Sequence, residues 1–107
     1  MKLSTVKLVT VIADRALKQD LIQFFKDVGI TGYTFCEVQG KGSSELADDS
    51  TEEAENVQFK ILASQILSVS LMKAIAEKYI PTGNLILFQQ DACVLRSEKF
   101  GPSTPAT

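Results

Sequence analysis

The sequence contains no histidine, only two cysteines and only three prolines. Histidine is the commonest general base and metal ligand near neutral pH, so its absence argues against hydrolase and zinc chemistry. No apolar run approaches the roughly 18 residues of a membrane-spanning helix. Lys2 leads directly into a strand pattern rather than a secretory signal. We therefore expect Cys36 and Cys93 to be reduced thiols of a cytoplasmic protein.

The charge of the chain is small but unevenly placed. At 107 residues the chain is expected to form one domain, 1–107, and its net charge of −2 argues against a general nucleic-acid binder. The segment 41–56 carries six carboxylates against one lysine, so its charge is −5 and the remainder carries +3. This acidic segment matches no calcium-loop spacing. Its charge suits docking against a basic partner surface.

The first half of the chain predicts a strand, a helix and a second strand. Residues 6–13 are rich in β-branched residues, and both faces of the strand that they would form are mostly apolar, which is typical of a central strand. Asp14 is a candidate N-cap for an amphipathic helix over 15–28, and Gly29 is a candidate for its end. The second strand is predicted over Tyr33–Gln39. The segment from Gly40 to Asn56 has no apolar periodicity, and loops of this length are usually functional or disordered.

The second half predicts a strand, a helix and a strand. Residues 57–63 alternate as a third strand, antiparallel to the second. Ser64 or Ser68 caps a helix that runs to about Tyr79. The last strand is predicted over 85–96, with a bulge or bend at the polar trio Gln89–Asp91. The tail, about 101–107, is expected to be mobile.

The resulting order βαββαβ predicts an α+β, ferredoxin-like fold. Right-handed crossovers give one antiparallel sheet of order 4-1-3-2 with both helices on one face. Cys36 and Cys93 then lie at opposite edges, which argues against a disulfide within one subunit. The strands are apolar on both faces, so we expect the face without helices to close a homo-oligomer, with sites at the subunit boundaries.

Several residues could bind an anionic ligand. Gly40–Gly42 could present backbone N–H groups beside a lysine charge. Arg96 and Lys99, near the end of the last strand, could pair with phosphates. Tyr33 and Thr34 could offer an apolar wall and a hydroxyl to a base. The sequence has no phosphate-binding P-loop, nucleophile elbow or metal-ligand cluster, so we expect a protein that is not an enzyme.

The most specific motif is Gly-Ile-Thr-Gly-Tyr-Thr at 29–34, followed by Glu-Val-Gln-Gly-Lys-Gly at 37–42. It resembles the signature of the PII signalling superfamily, and the similarity spans about 6–100. The Gly-Tyr-Thr form, the short turn at 81–84 and the ending around 94–102 resemble the PII-like SbtB and carboxysome-associated branch. Proteins of that branch are associated with bicarbonate uptake.

The resemblance implies a homotrimer with adenine-nucleotide sites between subunits and a protruding T-loop at about 40–56. It also implies a cytoplasmic protein that reaches the membrane only when bound to a transporter or related carbon-metabolism partner. The implied nucleotide-binding residues are Gly32, Tyr33, Thr34, Gly40, Lys41, Gly42, Leu62, Arg96 and Lys99. The implied anion site, for bicarbonate, consists of Gly40, Lys41, Gly42 and Lys60.

Departures from the family pattern bear on the ligand. The turn at 81–84 lacks the lysine of the PII G-x-G-K loop, and Ser43 stands where those proteins carry arginine. Fewer phosphate cations favour AMP or ADP over ATP. The tail holds no cysteine, so the redox role of the SbtB tail is not implied. Two alternatives share the topology: a CutA-type trimer that binds divalent cations, and an acylphosphatase-like hydrolase, for which the chain lacks the arginine-bearing phosphate cradle.

Overall fold

The computed structural model of the chain describes residues 3–30, 32–39, 56–81 and 85–95. The order of elements is the predicted βαββαβ. The elements are β1 (Ser4–Asp14), a 3₁₀ turn (Arg15–Leu17) leading into α1 (Lys18–Asp27), β2 (Thr34–Val38), β3 (Asn56–Ala63), α2 (Gln65–Tyr79) and β4 (Leu85–Val94). Neither of the two helices in these ranges is long and apolar enough to cross a membrane.

The four strands form one antiparallel sheet of order β2-β3-β1-β4, which is the predicted order read from the other edge. The ferredoxin-like fold is therefore confirmed. Cys36 on β2 and Cys93 on β4 lie on opposite edge strands, and both are exposed free thiols. The predicted placement of the two cysteines at opposite edges of the sheet is also confirmed.

Short local contacts start and end the helices where the sequence predicts. The Asp14 carboxylate accepts a hydrogen bond from the backbone N–H of Ala16 at 2.8 Å and so caps the turn that leads into α1. Gly29 ends α1 in the left-handed region, at φ +89°. The N–H of Gly29 donates to the carbonyl of Lys26, and that of Ile30 donates to the carbonyl of Phe25, which is a Schellman motif.

Of the two candidate caps for α2, the structure selects Ser64. Its hydroxyl accepts a hydrogen bond from the N–H of Leu67 at 3.2 Å, one turn into the helix. Ser68 lies inside α2, is completely buried, and donates its hydroxyl to the side chain of Gln89 on β4. The second serine therefore joins helix and sheet and does not begin the helix.

One face of the sheet carries the core. Alternate residues of a strand point to the same face, and one such set on β1 and β3 packs against the apolar sides of α1 and α2. The buried members are Val9, Val11, Ala13, Val57, Phe59 and Ile61 from the strands, with Leu21, Phe25, Leu71, Ile75 and Tyr79 from the helices.

The predicted bulge or bend at Gln89–Asp91 is wrong. β4 pairs with β1 in one unbroken register, from Ser4 opposite Val94 to Ala13 opposite Leu85. Two of the three polar side chains have partners on neighbouring elements: Gln89 accepts a hydrogen bond from Ser68 of α2, and Asp91 pairs with Lys7 of β1. β4 also ends at Val94, two residues before the predicted end.

Among residues 3–30, 32–39, 56–81 and 85–95, no helix covers the opposite face of the sheet, and this face is partly apolar, as the strand patterns predict. On β4, Ile86 and Phe88 leave 57% and 42% of their surface exposed. Leu8 and Ile12 on β1 are half-buried on the same face. We call this the open face. Its closure by other copies of the chain stays a prediction at this point.

The two helices are joined by a hydrogen bond from Tyr79 to Asp20. The phenol oxygen lies 2.6 Å from the carboxylate of Asp20, and the Tyr79 ring meets Phe24 edge-on with centroids 5.8 Å apart. Burial, reinforced by the hydrogen bond and the negative charge of Asp20, raises the pKa of Tyr79 well above its usual range. The fold therefore favours the neutral phenol.

The Tyr79→Phe variant should reveal this preference at alkaline pH. At neutral pH, loss of the hydrogen bond should lower the free energy of unfolding by about 1 kcal/mol. In the wild type, the raised pKa stabilises the fold fully below the unfolded-state pKa of about 10 and progressively less above it. Thermal unfolding at about pH 8 and about pH 11 should thus show a larger alkaline loss for the wild type than for Tyr79→Phe. Equal losses would contradict the assignment.

Candidate functional site

Three of the sequence-predicted site residues lie together on the open face, at the β2 edge of the sheet. Thr34 on β2 and Lys60 on β3 are cross-strand partners, and Leu62 follows two residues after Lys60 on the same face. Thr34 and Lys60 are exposed, and Leu62 is half-buried opposite Leu8. We call Thr34, Lys60 and Leu62 the edge patch.

The edge patch combines three kinds of contact. Lys60 supplies an ammonium group with three hydrogen-bond donors, Thr34 a hydroxyl, and Leu62 an apolar surface. Within the described ranges Lys60 makes no ion pair, and its neighbours across the sheet are Thr34 and Thr10. Such a group can bind a small ligand that has both an anionic and an apolar part.

The ring of Tyr33 lies on the other face of the sheet. Its centroid is 5.5 Å from that of Phe25 and 5.8 Å from that of Phe59, so it belongs with the aromatic part of the core. The structure therefore separates the Tyr33 ring from Lys60 and Leu62. A ligand on the edge patch would approach the backbone of Tyr33 rather than its ring.

Gly32 is exposed at the entry to β2. A Cβ built at this residue would meet nothing within 4 Å, and its backbone is outside the left-handed region. Neither crowding nor conformation in the described part of the chain thus requires a glycine here. Continuing the register of β2 and β3 by two residues would place Gly32 beside Leu62 of the edge patch, although the pairing itself ends at Thr34.

The remaining predicted site residues lie outside the described residues. They are Gly40, Lys41, Gly42, Arg96 and Lys99. Their roles stay predictions from the sequence resemblance.

A charged cluster that the sequence analysis missed lies on the helix side of β2. The Glu37 carboxylate is 3.4 Å from Nζ of Lys18 and 3.7 Å from Nη1 of Arg15. The same Lys18 ammonium lies 4.7 Å from the centroid of Phe35. The period-two pattern places Phe35 and Glu37 on one face, but no local signal pairs them with cations about 20 residues earlier in the chain.

The described residues do not assemble a metal centre. Among residues 3–30, 32–39, 56–81 and 85–95, no group of three or more His, Cys, Asp or Glu side chains could hold a metal ion.

The sequence profile of the family described as Nitrogen regulatory protein P-II matches residues 6–99. The chain belongs to this family. The match covers both helices and all four strands except the first two residues of β1. The comparison with curated proteins returns no match.

Solved structures of PII-like proteins share the fold. A PII-like signalling protein from Thermus thermophilus is 27% identical, with a TM-score of 0.77 over 94% of this chain and 99% of that one. CPII from Thiomonas intermedia, bound to ADP, AMP and acetate, is 23% identical, with a TM-score of 0.75 over 94% of this chain and 98% of that one. CPII bound to ADP, AMP and bicarbonate is 20% identical, with a TM-score of 0.71 over 89% and 100%.

Substitutions at Tyr33 should separate a packing role of its ring from a role of its hydroxyl. Tyr33→Ala should lower the free energy of unfolding by about 3 kcal/mol, since it removes a ring from a packed aromatic cluster. Tyr33→Phe keeps the ring and should change stability by less than about 0.5 kcal/mol. Chemical denaturation measures both values. A large loss for Tyr33→Phe would contradict the packing role.

Proposed function

We propose that the protein is a homotrimeric PII-like regulator that binds adenine nucleotides at clefts between subunits, with bicarbonate as a second ligand. The observation that supports it most directly is the edge patch: a cation, a hydroxyl and an apolar side chain stand together at the margin of the open face of a PII fold. The protein has no catalytic step in this proposal.

The open face supports the trimer. Ile86 and Phe88 expose large apolar surfaces there, and burying such surface against other copies is favourable by about 25 cal/mol per Å². The edge patch lies at the margin of the same face, so a neighbouring subunit would form the second wall of a ligand cleft. This is the arrangement that PII membership leads us to expect.

The chemistry of the edge patch fits a nucleotide. The Lys60 ammonium would pair with phosphate, the Leu62 side chain would pack against the base, and the Thr34 hydroxyl would hydrogen-bond to either end of the ligand. At Gly32, the missing side chain would let the backbone approach the ligand closely. Gly40–Gly42, Arg96 and Lys99 would complete the phosphate contacts.

The anion proposal draws support from the CPII structures. CPII was obtained with ADP, AMP and acetate, and also with ADP, AMP and bicarbonate. Acetate and bicarbonate share a planar pair of oxygen atoms that an ammonium group and backbone N–H groups can bind. In this chain, Lys60 and Gly40–Gly42 would supply these donors.

AMP or ADP is proposed over ATP because this chain has few cations for a third phosphate. The 81–84 turn carries no lysine, and Ser43 and Ser44 follow Gly42 where an arginine would reach the phosphates. Each missing cation removes a charge-assisted hydrogen bond, which is typically worth about 1.5–3 kcal/mol.

The acidic T-loop is proposed to transmit the ligand-bound state of the protein to a partner protein. Its net charge of −5 suits a basic surface on a membrane transporter or a carbon-metabolism protein. The SbtB and carboxysome-associated branch makes control of inorganic-carbon uptake the leading role, with the protein cytoplasmic and peripheral at the membrane when bound. A nucleotide that binds more tightly to one conformation of the T-loop increases the population of that conformation, to an extent set by its difference in affinity for the two conformations.

Calorimetry on the wild type and on Lys60→Gln tests the ligand site. We expect the wild type to bind AMP and ADP more tightly than ATP. Lys60→Gln should lower the affinity for ADP by about tenfold, as loss of one phosphate contact predicts. Adenosine should lose little affinity, because it has no phosphate. Lys73→Gln, an exposed lysine of α2, is the matched control. No binding of any adenine nucleotide at millimolar concentration would refute the proposal, as would equal losses for ADP and adenosine.

Analytical ultracentrifugation tests the trimer with a matched pair of isoleucines. Ile86→Lys places a charge on the open face and should convert the trimer to monomers, because an unpaired charge is costly in an apolar interface. Ile66→Lys makes the same change on the outer side of α2, where the isoleucine is 66% exposed against 57% at Ile86. It should leave the trimer intact. Dissociation by Ile66→Lys alone, or by neither variant, would contradict the proposed assembly.

A further inference from the structure

Strand β2 depends on few contacts for its position. It is five residues long, and in the described part of the chain it lies at the edge of the sheet with β3 as its single strand partner. It carries Thr34 of the edge patch on the open face, and residues 40–55 follow closely after its end at Val38. Any contact that holds the helix side of β2 therefore acts both on the site and on the start of the proposed T-loop.

A four-residue cluster holds β2 to the start of α1. Lys18 contacts two β2 residues at once, through the ion pair with Glu37 at 3.4 Å and through its position 4.7 Å from the ring centroid of Phe35. Arg15 adds a second cation 3.7 Å from Glu37. The Phe35 ring in turn lies 5.5 Å from that of Phe59 in the core. We call Arg15, Lys18, Phe35 and Glu37 the β2 clasp.

The β2 clasp is too exposed to contribute much to global stability. The side chain of Glu37 is 38% exposed and that of Arg15 is 49% exposed, and ion pairs of this kind are weak and screened by salt. Edge strands, however, open locally at a much lower free energy than the whole domain. The same small free energy is therefore a minor part of the global free energy of unfolding but a large part of the free energy that keeps β2 against α1.

We propose that Arg15, Lys18 and Glu37 are positioning residues that couple the ligand site to the segment leaving β2. With the β2 clasp intact, Thr34 stays beside Lys60 while Glu37 and Val38 give the chain a fixed direction after the strand. When a ligand engages Thr34 on the open face, the rigid five-residue strand carries that constraint to its end. Without the β2 clasp, the two ends of β2 move more independently and the coupling free energy falls.

This proposal deepens the proposed function, and the part of it that concerns nucleotide binding rests on that function. The part that concerns the restraint of β2 does not, because the β2 clasp should restrain β2 in the absence of any ligand. The chain also offers a control pair of similar type: Lys7 and Asp91 form an ion pair between β1 and β4, away from β2. The Asp91 side chain is 69% exposed.

Amide hydrogen exchange on the full chain, without nucleotide, provides the first arm. The variants are Glu37→Gln, which keeps the size of the side chain, and Lys18→Met, which keeps an apolar stem over Phe35. Each should speed exchange of residues 34–38 by about twofold, a typical effect of losing one exposed charge pair, while the thermal midpoint falls by no more than about 3 °C. Asp91→Asn should leave exchange of β2 unchanged.

The double variant Lys18→Met/Glu37→Gln tests whether the two residues act through each other. Its effect on exchange should be smaller than the two single effects combined, since either change already breaks the Lys18–Glu37 ion pair, whereas only the change at Lys18 removes the ammonium over Phe35. Fully additive effects would overturn the β2 clasp. Unchanged exchange of residues 34–38 in both single variants would overturn it too, as would a larger acceleration on β1 and β4 than on β2.

The second arm adds ADP and uses trypsin as a readout of the segment after β2. Lys41 is the sole lysine or arginine between Lys26 and Lys60, so cleavage after it gives a unique pair of fragments. In the wild type, ADP should change the cleavage rate severalfold, and in Glu37→Gln that change should shrink by at least half. An undiminished ADP effect in Glu37→Gln would overturn the coupling. An absence of ADP binding by the wild type would refute the proposed function and leave the result of the first arm standing.

Discussion

The packing of Phe25 against Phe59 is the contact on which the rest of the structure depends. Their centroids lie 5.1 Å apart in an edge-on arrangement, and both residues are completely buried. This contact joins α1 to the centre of β3, and the rings of Tyr33 and Phe35 pack against Phe59 from the neighbouring strand. These rings attach the edge strand β2 to the core by side-chain packing, in addition to the short hydrogen-bond ladder that it forms with β3.

That packing divides β2 into two faces with different tasks. Tyr33, Phe35 and Glu37 face the helices and hold the strand in place. Thr34 faces the other way and joins Lys60 and Leu62 at the margin of the open face. A ligand that bound the edge patch would meet one face of β2, while the core and the start of α1 restrain the other face.

Most of the fold could be predicted from the sequence, because the signals involved are local. Apolar periodicity predicts each element, and the caps at Asp14 and Gly29 depend on residues only a few positions apart. The sequence pattern failed at Gln89–Asp91, where polar residues in a strand resemble a break until their partners Ser68 and Lys7 are known. The candidate site was predicted in part: Thr34, Lys60 and Leu62 lie together, whereas the Tyr33 ring belongs to the core.

The sequence by itself determined the order of elements, the strand order of the sheet, the separation of the two cysteines and the membership of the PII family. These follow from short-range periodicity, from the handedness of crossovers and from one motif in two nearby segments, 29–34 and 37–42. Only the tertiary structure decided which face of β2 meets Lys60 and which meets Lys18. The reason is physical: a one-residue change of register would exchange the two faces, and that register depends on packing between residues far apart in the chain.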